Sequence, residues 1–243
     1  MGAYAAYEAA SPALESLSAI GVAPAAASRL RAAIEAGSRN LACKAMVTRV
    51  YSLCDFVCPL CDIDSACTID HYLPKEDYPE FSIFARNLTG ACGTCNPKKL
   101  EGWRDGQSRR TVLHVYEDAI DSEAELLLAD VEVCRKTGAS KPTVTYALNC
   151  NEDAPGFAGH LARHVEKLGL LPRFESAGRR QLLAIAEDLS VRGGSVRGAR
   201  EHLHRIADMR KQRHGNLHWE TALYRGAAGS DSFLEHALRG ASR

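Results

Sequence analysis

The sequence predicts an α+β protein: a small, loop-rich module set within a mostly helical chain. Three observations carry this. Two CxxC pairs, Cys58/Cys61 and Cys92/Cys95, bracket a stretch dense in cysteine, proline, glycine and asparagine that keeps no long helical period. Apolar residues recur at helical spacing on both sides of that stretch. Further on, Thr143-Val144-Thr145-Tyr146-Ala147-Leu148 alternates as a strand does.

Taken in order, residues 1–53 form a helical region. Leu14, Leu17, Ile20, Leu30 and Ile34 stand at helical spacings, and Gly21 and Pro24 interrupt them, which predicts two short helices. A third is expected from about Arg39 to Leu53, with Leu41, Val47 and Val50 on one face. The loop-rich module spans 54–113 and, with little core of its own, needs a staple. A mainly helical region, 114–243, follows. Thr111–Tyr116 reads as a strand or core segment, and Glu117–Glu125 is acidic. Helices are expected over Phe157–Leu170, ended by Gly169, and over Arg179–Leu189. Gly193-Gly194 marks a hinge or turn before a last, basic helix from Val196 to Arg213, with only partial order expected beyond Gly215.

The composition, 243 residues with 46% hydrophobic and 25% charged, is that of an ordinary globular protein. No apolar run is long enough for a membrane span, and the N-terminus lacks a signal-type apolar stretch, so a cytoplasmic location without a membrane partner is expected. The formal net charge of +0 hides a gradient. Residues 114–190 hold eight Lys+Arg against thirteen Asp+Glu, and residues 191–243 hold ten against five. A basic end of this kind can follow a nucleic-acid backbone, or it can be a solvated helical face.

Nine cysteines cannot all pair, and disulfides are disfavoured in a reducing compartment. Cys43, Cys54, Cys67, Cys134 and Cys150 are scattered and read as small buried hydrophobes. The two CxxC turns are different. Each points two thiolates at one place, and together they suit a tetrahedral four-cysteine shell for Zn2+, with Cys54 or Cys67 as a less well spaced substitute for one ligand. A closed shell leaves no open position for water, so the zinc is expected to be structural.

Between the knuckles stand Asp70-His71, then Asn87, then Asn96-Pro97-Lys98-Lys99, with His71, Asn87 and Asn96 separated by 16 and 9 residues. Over Cys58–Lys99 this order resembles the HNH endonuclease family, in an H-N-N variant where Asn96 replaces the final histidine. More loosely, the flanks resemble bacterial HNH proteins with a helical C-terminal extension, some of which work beside an ATPase partner in anti-phage defence. The resemblance implies a zinc-stapled ββα-metal module that hydrolyses phosphodiester bonds of nucleic acid, double-stranded DNA above all. His71 would be the general base, for which its pKa range is suited. Asp70 and Asn96 would hold a catalytic Mg2+ or Mn2+, a hard-oxygen pair. Asn87 would tie down the loop that holds the His71 backbone. Lys75, Lys98 and Lys99 would face the nucleic acid. On a regular strand Asp70 and His71 point to opposite sides, so a bend at the strand end is expected, with Pro74 three residues on.

Singly, these residues have plainer readings. Asp70 suits a strand-end turn, Asn87 an Asx-turn, and Asn96 a helix N-cap before Pro97. His114 reads as structural, Trp103 as a lid over the module's core, and Tyr72 and Tyr78 as neighbours of the site. His160 and His164 fit helix packing. The competing function is a catalytically silent zinc ribbon that binds nucleic acid or a protein. A secreted nuclease toxin is disfavoured by the neutral charge.

Overall fold

The structure, a computed structural model, describes residues 2–34, 41–100, 102–118, 123–136 and 139–239. The chain is a mixture of helices and two small antiparallel hairpins, an α+β architecture. It divides into two compact units, Met1–Ala119 and Ile120–Arg243. No helix among the described residues is long and apolar enough to cross a membrane.

The first unit opens with two short helices, α1 (Ala3–Ala10) and α2 (Pro24–Ala32), the latter started by its proline at the first helical position. Leu14 lies in a single 3-10 turn between them. Helix α3 runs over Leu41–Leu53, and Arg39 lies outside the described residues. A hairpin follows, β1 (Thr68–His71) against β2 (Leu88–Ala91), with Asp70 opposite Thr89 and His71 opposite Leu88. A short helix α4 (Cys95–Leu100) comes next. Gly90 lets α3 and the residue after it approach the hairpin closely, since a Cβ there would meet Tyr51 Cδ1 at 3.2 Å and Cys54 Sγ at 3.0 Å.

The core of this unit is aromatic. Tyr7 and Leu14 from the N-terminal segment pack with Tyr72, Leu73, Tyr78, Phe81 and Trp103. Trp103 meets Tyr72 and Tyr78 edge-on, at centroid distances of 6.1 and 6.0 Å, a favoured aromatic geometry. Thr111–Tyr116 forms no strand. It is a core segment: the Thr111 N–H donates to the Trp103 carbonyl, and Val112 and His114 are buried.

The second unit is built on a longer hairpin, β3 (Leu127–Lys136) against β4 (Ala139–Leu148). Helices α5 (Gly156–Leu168), α6 (Leu170–Arg192), α7 (Val196–His214), α8 (Trp219–Gly229) and α9 (Asp231–Arg239) follow, with α6 lying on β4 and α8 on β3. Gly226 permits the second contact, because a Cβ there would come within 2.3 Å of the Ala129 carbonyl oxygen. Gly169, at φ 60°, ends α5 in the left-handed region, and α6 begins at the next residue.

Two helix expectations are corrected here, and a strand appears that the sequence reading did not place. The basic helix is not the last, because α8 and α9 follow it and bury Leu223, Phe233 and Leu234. Strand β3 pairs along the whole of β4, and the helix expected over Arg179–Leu189 extends over Leu170–Arg192. The basic helix itself is packed, through Ala199, Leu203 and Ala207. Five of the seven cations from Arg192 to Arg213 are engaged within the chain. Arg192 pairs with Asp188, Arg197 with Glu201, Arg200 with Asp231, Arg210 with Glu220 and Lys211 with Glu123. Arg205 and Arg213 are exposed.

Candidate metal centre and adjoining groove

The turn between α3 and β1 brings Cys58 and Cys61 to one point. The Asp62 N–H donates to the Cys58 carbonyl, and Asp62 takes a left-handed φ of 53° to close the turn. The second CxxC joins β2 to α4, and there the Cys95 N–H donates to Cys92 Sγ at 3.3 Å. All four cysteines are buried, and their sulfurs lie within 4.8 Å of one another. Cys61 and Cys92 are 4.0 Å apart, far beyond a disulfide's bond length of about 2.05 Å. Zinc–sulfur bonds of about 2.3 Å in a tetrahedron give sulfur–sulfur edges of about 3.8 Å, so the donor set fits zinc. Within the cluster the Cys61 thiol is pushed well below its usual range by hydrogen bonds from Cys58 and Cys95, and by the backbone N–H groups of Asp64 and Ile63. Cys58 is pushed the opposite way by the same hydrogen bonds, so the thiols share protons as one coupled cluster.

Beside this centre lies an open groove of about 610 Å³, lined among others by Tyr51, Thr68, His71, Lys75, Glu76 and Asn96. His71 enters it from the end of β1. Its Nε2 is 3.0 Å from the Ser82 carbonyl oxygen. A carbonyl only accepts, so Nε2 carries the proton and Nδ1 keeps its lone pair. Burial pushes the His71 pKa down, which the bond to Ser82 only partly opposes, so the ring is held neutral.

Asn87 is buried and grips the loop after β1. Its Oδ1 accepts from the Leu73 N–H at 2.8 Å, and its amide donates to the Leu73 and Phe81 carbonyls. Asn96 sits in the first turn of α4. Its amide nitrogen donates to Thr68 Oγ1 at 3.0 Å, which commits that end and leaves Oδ1 as the acceptor.

Asp70 is elsewhere. Strand β1 stays regular through His71, so the two neighbours project to opposite faces and the expected bend is absent. Asp70 is 2% exposed and paired with Lys99 at 3.0 Å. Asp70 thus meets Lys99 on α4, the helix that also bears Asn96, and its carboxylate is engaged in that pair. Lys99, expected on the nucleic-acid face, is buried as well. Lys75 lines the groove, and Lys98 is half-buried on α4.

Tyr72 and Tyr78 do not reach the groove. Their hydroxyls donate to the carbonyls of Val112 and Leu17, and their rings belong to the core. His114 is structural: Nδ1 accepts the Tyr116 N–H, and Nε2 lies 2.8 Å from the Tyr7 hydroxyl. His160 and His164 are buried in α5.

Three residues of the site escaped sequence reasoning. Ser82 supplies the carbonyl that sets the His71 tautomer, Thr68 anchors Asn96, and Arg31 donates to the Lys75 and Glu76 carbonyls at the groove rim. Two of these act through backbone carbonyls or a short hydroxyl, and Arg31 lies 44 residues from its target. No sequence motif signals such contacts.

No family model and no solved structure matches the chain. Over 40 residues it is 50% identical to Protein ea31 of Escherichia phage lambda. That stretch is 16% of this chain and 14% of the phage protein, so it spans a small part of either.

Proposed function

We propose that the chain is an HNH-type endonuclease, a zinc-stapled ββα-metal module that hydrolyses phosphodiester bonds of DNA and serves anti-phage defence beside a partner ATPase. The observation that carries the reading is the state of His71. A neutral imidazole whose Nε2–H is committed to Ser82 presents Nδ1 as its only basic nitrogen, on a residue that lines an open groove. In hydrolysis Nδ1 takes the proton of the attacking water, Asn87 keeps the loop after His71 in place, and Lys75 on the groove wall attracts the phosphate backbone. Zinc on Cys58, Cys61, Cys92 and Cys95 holds hairpin and helix together and takes no part in the step. A divalent cation, if bound, would supply neutralisation of the scissile phosphate, and Asn96 and Glu76 are the groove's oxygen donors for it.

The burial of Asp70 favours a second reading, a catalytically silent zinc module that binds nucleic acid or a partner protein. Incubation of the purified zinc-loaded protein with supercoiled plasmid and Mg2+ or Mn2+ separates the two. The endonuclease nicks or linearises the plasmid and is stopped by EDTA. The silent module shifts it in a gel and leaves it intact.

A further inference from the structure

We propose that Asp70 is the counter-ion of Lys99 and not a ligand of a divalent cation, and that Lys99 is a positioning residue for His71. The second half rests on the endonuclease reading. The side chains of Asp70 and Lys99 are each 1% exposed. The Lys99 ammonium lies 3.0 Å from Asp70 Oδ1 and 2.5 Å from the His71 carbonyl oxygen, with the Tyr72 ring centroid at 5.6 Å. Lysine is almost never buried unless paired, and here its donors are met by a carboxylate, a carbonyl and an aromatic face.

The arrangement gives the ammonium the place at Asp70 that a divalent ion would need. A buried carboxylate already neutralised at 3.0 Å gains little from a second cation and would have to give up its partner to take one. In the groove itself the oxygen donors beside His71 are the Oδ1 of Asn96 and the carboxylate of Glu76, which is paired with Arg31 at 3.3 Å. With so few protein oxygens, Mg2+ or Mn2+ would be held only weakly there, and such an ion would bind more tightly with a phosphate present.

Lys99 also pins His71. Its ammonium holds the histidine's carbonyl from the core side, while the Ser82 carbonyl holds the ring from the other. Backbone and imidazole of the same residue are thus each fixed by a separate contact, which defines where Nδ1 stands.

The test uses the full zinc-loaded chain. Mn2+ binding is followed by electron paramagnetic resonance with Mn2+ alone and with a DNA duplex added, in a His71→Ala background that leaves the duplex whole. Asp70→Asn should change the Mn2+ affinity by less than about twofold, and Asn96→Ala should weaken the duplex-dependent binding by about tenfold or more. A loss of about tenfold or more on Asp70→Asn overturns the assignment. Thermal unfolding supplies an independent arm. Asp70→Asn and Lys99→Met should each lower Tm, and the double variant should regain most of the loss, because one unpaired buried charge is worse than none. A double variant no more stable than the weaker single one overturns the pairing. The positioning role predicts that the double variant, though stable, cleaves with reduced kcat and unchanged KM; wild-type kcat refutes it. If the wild-type protein cleaves nothing, the endonuclease reading and the positioning role fall together, while the Mn2+ and unfolding arms still decide the place of Asp70.

Discussion

The Nε2 of His71 donates to the carbonyl oxygen of Ser82, eleven residues further along the chain, at 3.0 Å. This one bond decides which nitrogen of the ring is basic. The expected outcome for His71→Ala is a cleavage rate lower by about 10²–10⁴-fold, the usual cost of removing a general base. Folding and zinc content should be nearly unchanged, since the cysteine cluster does not involve this residue. The measurement is single-turnover cleavage at saturating cation, with zinc content checked alongside. Wild-type turnover in the variant would remove His71 from the mechanism.

One zinc ion per chain is expected in protein purified without chelator. The four buried thiols form one cluster that joins the first knuckle to α4, so the metal contributes folding energy directly. Cys92→Ser, or stripping the metal with a strong chelator, should open the stretch from Asp62 to Asn87 to protease. Elemental analysis showing no zinc, or a chelated protein with unchanged protease resistance, would contradict this.

Burial holds His114 neutral and pushes its pKa down to about 4, although Glu117 and Asp118 pull the other way. Below its ordinary value of about 6.5, the unfolded chain takes up a proton that the folded chain refuses. Stability from this group is therefore fully present above about pH 6.5 and is lost as pH falls toward 4, by on the order of 3 kcal/mol. Unfolding free energies of the wild type and of His114→Gln, measured between about pH 7.5 and 4.5, check the point. The variant should show the flatter profile over that window, and parallel profiles would refute it.

The second unit gives a prediction about truncation. Ending the chain after Leu189 removes α7, α8 and α9, with the buried side chains of Leu203, Leu223, Phe233 and Leu234. The expected result is collapse of the unit's cooperative unfolding transition, read by calorimetry. Neutralising Arg205 and Arg213, two of the exposed cations of α7, is the milder experiment. It should flatten the salt dependence of DNA binding by no more than about 1.8 in log–log slope. A steeper loss would show that the paired arginines of α7 also leave their partners for DNA.

The parts of the fold visible in the sequence are those set by local chemistry. The CxxC turns, the Gly169 stop and the Gly193-Gly194 turn each depend on a residue or two and stand where their residues place them. Strand β3 is obscured because its alternation, Leu127, Ala129, Val131 and Val133, runs straight on from an acidic segment and carries charges on its other face. Helices α8 and α9 are hidden by punctuation, since Gly215 and Gly229-Ser230 read as loop while they act as helix ends. The site divides in the same way. The order of Asp70, His71, Asn87 and Asn96 can be read directly, but which face each occupies is a matter of strand pleat and of a lysine 29 residues away from Asp70. A motif states which groups are present; register and burial decide which of them meet.

The aromatic core described above has a consequence for portability. Tyr7 and Leu14 fill the same interior as Tyr72 and Leu73, which follow directly on the strand that bears His71, and as Phe81 further along the same loop. The loop that shapes the groove thus borrows its filling from the first turns of the chain. Anyone transplanting this cassette into another scaffold must carry those opening residues with it, because a graft beginning at the first CxxC would bring the reactive groups and leave behind the wall they lean on.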